Sequence, residues 1–478
     1  MTDLSISNAT VITMDAGRRV LHDAGVRIAN GVIEAVAPMA DFGVDGLNAA
    51  TMLDGRNRVV LPGLIDAHNH AGHNLVRTLA MHAGQAWNDV LEEIYARGST
   101  VGFWQADARL SLLERLKAGV TTAVSLLGGA TDVMRTDEAA YGDAHLDAVE
   151  ESGLRTIVAV GPGRAPFPKA FRRLATGNGG TVDHDLVVSF AGQMAVAEDL
   201  MRRRHDPLGR GTGIALFLPV YRAADLADAS GAAEIKAMVA RAAAVRAEHQ
   251  VMFVQDGHKT GDPERMRDYG LLGPHALLSH AIDLSEADIT AVRDSGSAIV
   301  HNPNAIAAIH GRCPVPELLA MGVRVAIGSD AAAPDRGVDM FRHMTQCLHY
   351  HRRHFRDPDI LSAGQALAMT TIGAAAALGL DQHIGSIETG KVADIILLDV
   401  ARPHLTPFVM PVAQTVHFAN AADVDTVIAG GRLLMHGRQP LAVVESAILA
   451  AAETEAAAAV GRAGAGRWLE ETPAVWGG

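Results

Sequence analysis

Eight short apolar runs, each followed by a stretch of helix-forming composition, set the tightest limit on what this chain can fold into. The runs lie at 59–67, 120–127, 155–160, 213–220, 251–254, 276–279, 298–300 and 323–327, with segments such as 106–118, 232–248 and 285–294 between them. Strands that alternate with helices pair in parallel, because each crossover needs the length of a helix to bring the chain back to the same edge. Eight such strands close a (β/α)8 barrel, which is the expected α/β fold; a doubly wound open sheet is the runner-up. No Gly-x-Gly-x-x-Gly follows any run and no Walker loop occurs, which argues against a dinucleotide or P-loop nucleotide site.

The two ends read differently from the middle. Stretches 4–13, 25–29 and 32–36 are strand-like, with Asn30-Gly31 as the turn between the last two. The same texture returns at 393–400 and 424–435, with Gly430-Gly431 as a turn. This predicts a small β-sandwich domain made from 1–61 and 384–440, a barrel over 62–383 and a helical tail over 441–478. A chain of 478 residues exceeds one ordinary core unless that core is a barrel with additions.

Charge and composition narrow the partners. The net charge of −13 comes with no basic stripe, which argues against nucleic acid and anionic membranes. Aromatic residues at 4% leave no stacking platform for bases. Two cysteines imply no disulfide framework. Neither a leader-like start nor an apolar run of ~18 residues is present. A cytoplasmic protein acting on a small-molecule substrate is expected.

The first run ends in His68 and His70. Side chains at i and i+2 of a strand point to one side, so two imidazoles project into one space at the strand's C-terminal end. Among 22 histidines this pair alone is ambiguous. Other runs also end in polar groups: the fifth runs into Gln255-Asp256-Gly257-His258, the sixth into His280, the seventh into His301 and the eighth into Gly328-Ser329-Asp330. Barrel enzymes keep reactive groups at these ends. Neutral imidazoles with a carboxylate make a divalent-metal site.

These residues resemble the amidohydrolase superfamily, in particular its S-adenosylhomocysteine deaminase-like and s-triazine hydrolase-like branch. The likeness spans nearly the whole chain. It rests on Pro62-Gly63-Leu64-Ile65-Asp66-Ala67-His68-Asn69-His70, Leu75-Val76-Arg77, 113–122, Val300-His301-Asn302-Pro303-Asn304, 326–330 and 384–397. The resemblance implies that His68, His70 and Asp330 are metal ligands. It implies one divalent ion per subunit, Zn²⁺ in first place with Fe²⁺ or Co²⁺ as alternatives, whose bound hydroxide attacks an sp² carbon of the substrate. Asp330 would also take a proton from the water, and His280 would hydrogen-bond the water or the developing oxyanion. Homodimers or homotetramers are common among such relatives.

The fifth strand departs from the branch's His-x-x-Glu, in which the His is a ligand and the Glu a proton shuttle. Gln255 takes the ligand's place and His258 the Glu's place in one register; in another, His258 itself reaches the metal. Gln is a poor Zn²⁺ ligand beside imidazole, so His258 is the expected ligand, with a part in proton transfer, Gln255 the alternative, and Asp256 a residue that could orient His258. The expected reaction is C–N hydrolysis, a deamination of an amino-heterocycle or related compound. With the Glu missing, hydrolysis of an amide, carbamate, thiocarbamate or urea, or hydrolytic dehalogenation, is the alternative. A binuclear hydrolase would need a Lys at the end of the fourth strand, which reads Leu218-Pro219-Val220-Tyr221-Arg222. A catalytically inactive binding relative is the remaining reading.

Loops above the barrel should line the substrate pocket. Arg77, Trp87, His301 and Asn304 are the chief candidates, with His73, Phe103, Trp104, Asn302 and His310 beside them. Arg77 could instead hold a structural ion pair. His349, His351 and His354 read as a solvated helix face.

Overall fold

The computed structural model describes residues 3–42, 46–81, 83–84, 86–129, 133–174, 183–208, 211–305, 307–470 and 476. Eight parallel strands form one sheet in sequential order: Leu64–His70, Val120–Leu126, Arg155–Val160, Thr212–Phe217, Met252–Gln255, Ala276–Ser279, Ala298–His301 and Arg324–Ile327. The first and last edges meet where the amide of Asp330 donates to the carbonyl of His68 at 2.9 Å, beside a parallel bridge between Asn69 and Asp330. The expected (β/α)8 architecture is the one observed.

Local chemistry explains the helices between these strands. Ser285 caps Glu286–Ser295 in a reciprocal capping box with Asp288, and Gly296 ends that helix in left-handed backbone at φ 69°. Thr100, Ser189, Asp228 and Asp339 cap Val101–Lys117, Phe190–Arg204, Ala229–His249 and Met340–Phe355 in the same side-chain-to-amide manner. The pleat divides each strand between two cores. Ile65, Ala67, Val124, Ile157, Ala215, Val254, Leu277, Val300 and Ala326 pack together inside the barrel. Leu64, Phe253, Leu278, Ile299 and Val325 face the helices.

Both ends of the chain build a second, nine-stranded sheet that contains Leu4–Ile12, Val20–Ala29, Val32–Pro38, Ile395–Asp399 and Val424–Ala429. The run at 59–67 serves both sheets and is two strands, not one. Arg58–Pro62 pairs with Ile395–Asp399 in the terminal sheet, and Leu64–His70 opens the barrel. Gly63 is the hinge between them. A Cβ there would lie 2.2 Å from Thr121 Oγ1, so only glycine lets the chain cross so close to the second barrel strand. The helix Glu445–Arg462 docks on the first part of the barrel through Lys117–Glu445 at 2.8 Å and Arg462 Nε to the carbonyl of Gly98 at 2.6 Å. An antiparallel pair, Lys169–Leu174 with Asp183–Val188, was not anticipated. Among the described residues, no helix is long and apolar enough to cross a membrane.

Candidate metal centre and active-site cavity

Pleat and bulge together decide which side chains enter the barrel. In the first strand, Asp66 pairs with Ala123 but Asn69 pairs with Ser125, so one extra residue is inserted between them. Such a bulge re-aims the residues that follow it, and His68 and His70 turn into the lumen beyond Ile65 and Ala67. In the fifth strand the alternation is unbroken: Met252 and Val254 pack on the lumen core, so Asp256 points inward and Gln255 points out with Phe253. Gly257, in left-handed backbone at φ 88°, then turns the chain away from the lumen. His280 and Asp330 reach the same space from left-handed backbone themselves, at φ 65° and 63°. That conformation costs a non-glycine residue about 1–3 kcal/mol and is typical of functional sites.

The inward groups converge. Asp256 Oδ1 lies 3.3 Å from His68 Nε2 and 2.9 Å from His280 Nε2, and its Oδ2 lies 3.3 Å from His70 Nε2. Asp330 Oδ1 lies 3.6 Å from His68 Nε2 and 3.4 Å from His70 Nε2. A tetrahedral zinc ion with bonds of about 2.0–2.1 Å separates its ligand atoms by roughly 3.4 Å. Four of these spacings match that edge. His70 Nδ1 donates to the carbonyl of Gly128 at 3.2 Å, which leaves Nε2 as the lone pair facing the cluster. Both ring nitrogens of buried His68 lack a hydrogen bond of good geometry. The donor set and the orphaned imidazole fit a divalent metal ion held by His68, His70, Asp256 and Asp330, with His280 at its edge.

Electrostatics say the same. Burial disfavours charge on both His68 and His70, yet the Asp256 and Asp330 carboxylates outweigh it and raise both imidazoles, His70 to about 10. Burial likewise disfavours the ionised carboxylates, but the surrounding imidazoles hold Asp256 and Asp330 well below the usual range. The cluster is thus two carboxylates in search of positive charge, and a divalent cation supplies it without protons.

Above this floor opens a cavity of about 540 Å³, lined by His73, Trp87, Asn88, Arg164, Arg222, His310 and Arg336 among others. Trp87, His73 and His310 therefore face it. Arg336 comes within 3.8 Å of Asp330 Oδ2 and donates from Nε to the carbonyl of Asn304 at 3.1 Å, so Asn304 holds a cavity residue through its backbone. Asn302 follows the seventh strand's inward parity and contacts His280 Nε2 from Nδ2 at 3.4 Å. Phe103 and Trp104 are buried beneath the cavity, with the Trp104 indole donating to Ser99 Oγ at 2.9 Å.

Several expected positions fall elsewhere. His258 does not join the cluster. It is buried behind the turn at Gly257, its amide bonded to the carbonyl of Ser279 at 3.1 Å, and burial pushes its imidazole down to about 3. Gln255 faces outward and donates to the carbonyl of Pro219 at 3.1 Å. The strand-five group that faces the cluster is Asp256, which motif spacing passed over and strand alternation could have found. Arg77 does not line the cavity; it bonds Asn74 at 2.7 Å and pairs with Glu114. His301 takes the outward parity, with Ile299, and packs against the helix Met340–Phe355 with its ring centroid 5.4 Å from that of His351. His351 is accordingly buried rather than solvated.

Known proteins resemble this chain in sequence and in fold. The sequence is 29% identical over 449 residues to 5-methylthioadenosine/S-adenosylhomocysteine deaminase of Syntrophobacter fumaroxidans, covering 92% of this chain and 94% of the relative. It is 28% identical to 5'-deoxyadenosine deaminase of Methanothermobacter thermautotrophicus, covering 93% and 98%. The fold superposes on an adenosine deaminase from Xanthomonas campestris, solved with bound zinc, at a TM-score of 0.80 over 96% of this chain and 98% of that one, with 23% identity. The profile of the Amidohydrolase family matches residues 59–434, which take in both sheets' junction, the barrel and all five converging residues, and the chain belongs to that family.

Proposed function

We propose that this chain is a metal-dependent aminohydrolase that deaminates an amino-substituted heterocycle. The observation that carries the reading is the meeting of His68, His70, Asp256, His280 and Asp330 at the floor of one cavity. The deaminase names of the relatives support C–N cleavage on an adenosine-type ring. One divalent ion in this centre is proposed, with Zn²⁺ favoured by the imidazole and carboxylate donors. When bound, it would bring the pKa of a water toward neutrality and polarise the carbon under attack.

The chain's own groups handle the protons. Asp330 and Asp256 face the cluster, so either carboxylate is placed to accept the proton that the attacking water gives up. His280, held between Asp256 at 2.9 Å and Asn302 at 3.4 Å, is positioned to donate to the ring nitrogen or to the charge that develops on it. Asp256 thereby restores to the fifth strand the carboxylate that its sequence motif lacks, which favours deamination. The second reading, hydrolysis of an amide, carbamate or urea, rests on the missing Glu, since a single leaving-group proton would suffice there.

Ammonia release from a panel of aminopurines, aminopyrimidines and aminotriazines, run beside amides and carbamates on the zinc-loaded chain, tests the proposal. Turnover of the amino-heterocycles, lost in Asp330→Asn, is the expected result. Turnover confined to the acyl substrates would replace it by the second reading.

A further inference from the structure

Outside the barrel lumen, a second group of donors converges where nothing in the proposed reaction needs them. His301 ends the seventh strand on its outward face. Cys347 and His351 lie four residues apart on Met340–Phe355, so they share the helix face turned toward that strand. All three are buried, and their donor atoms lie within 4.8 Å of one another. His301 Nε2 and both ring nitrogens of His351 have no hydrogen-bond partner. Buried polar atoms are nearly always paired, so three unpaired ones in one place call for an occupant.

We propose that His301, Cys347 and His351 hold a structural Zn²⁺ ion between the seventh strand and this helix. Imidazole and thiolate are usual zinc donors, and ligand edges of roughly 3.4–3.6 Å lie inside the 4.8 Å that encloses the three donor atoms. Burial drives both imidazoles down, His351 to about 4, so each offers a lone pair at neutral pH. Binding forms two Zn–N bonds and one Zn–S bond and releases the thiol proton to solvent. No oxidation state changes. The ion would fix the end of the seventh strand, and with it Asn302, the next residue, which touches His280. The site stands independently of the reaction proposed for the lumen.

Co²⁺ distinguishes the two centres, because only this one contains sulfur. The full-length chain, refolded with Co²⁺ under reducing conditions, should bind two equivalents and show a thiolate-to-cobalt charge-transfer band in the near ultraviolet whose full intensity corresponds to one bound Co²⁺. His68→Ala/His70→Ala should keep that band while losing one equivalent of metal. Cys347→Ser, close to isosteric, should lose the band and keep one equivalent. A wild-type chain with no such band, or a band that survives Cys347→Ser, would overturn the proposal.

Discussion

The ends of the fifth and seventh strands make an instructive pair. Each presents two adjacent polar residues, one on either side of the pleat. Strand five sends Asp256 into the lumen and keeps Gln255 outside; strand seven sends Asn302 in and His301 out. The inward members join an interlocked set of carboxylates and imidazoles around the cavity floor. The outward members meet backbone and helix, and His301 ends in a cluster of unpaired donors. Side of the pleat, not kind of residue, separates the groups that enter the lumen from the rest. A histidine is the expected catalytic type, yet on these two strands an aspartate and an asparagine hold the inward places.

The largest effect should separate Asp256 from its near neighbour His258. Asp256→Ala should lose the lumen metal and reduce kcat/KM by ~10³-fold, as removal of a group acting on the developing charge does. His258→Leu should retain metal and keep kcat within about threefold, because the imidazole faces no reacting atom. Metal analysis and steady-state kinetics on the two variants check both. Equal losses would erase the distinction between the two sides of the strand. A smaller effect is expected at Asn302→Ala, where loosening His280 should lower kcat ~10-fold with little change in KM; a rise in KM alone would make Asn302 a substrate contact instead.

Arg77 sharpens the same contrast in the loop that follows the first strand. Paired with Glu114 and partly exposed, it is not among the residues that line the cavity. Arg77→Met should leave KM unchanged and cost at most about 1 kcal/mol in denaturant unfolding, given solvent screening. A pH dependence of stability, with no effect on turnover, follows from a buried histidine. Burial lowers His145 to about 4, from an ordinary value of 6.5. The unfolded chain then binds the extra proton between these values, so stability is full above pH 6.5 and falls as pH drops toward 4. His145→Leu should flatten that part of a melting-temperature profile; an unchanged slope would show that this imidazole does not stay neutral on folding.

Much of the fold was readable in the chain because strand and helix periodicities survive without tertiary knowledge. The eight runs, the Asn30-Gly31 turn and the strand-like ends all correspond to observed elements. The first run hid a boundary, since Gly63 marks a close crossing that depends on Thr121, far away in sequence. The nearness of His68, His70 and Asp330 followed from their places at strand ends. Asp256 did not, because matching the strand to a spaced motif gave the residues at both ends of that motif the roles. The alternation of Met252, Val254 and Asp256 carried the information all along. His351 was lost differently: a helix rich in Arg and His reads as solvated, and only the packing of the seventh strand against it shows which face is dry.

Anomalous diffraction at the zinc edge, from crystals of the zinc-loaded chain, tests most directly which strand-five residue faces the lumen ion. Density bounded by His68, His70, Asp256 and Asp330, with His258 behind the Gly257 turn, is the predicted result. An ion bound by His258 or Gln255, with Asp256 turned away, would contradict it.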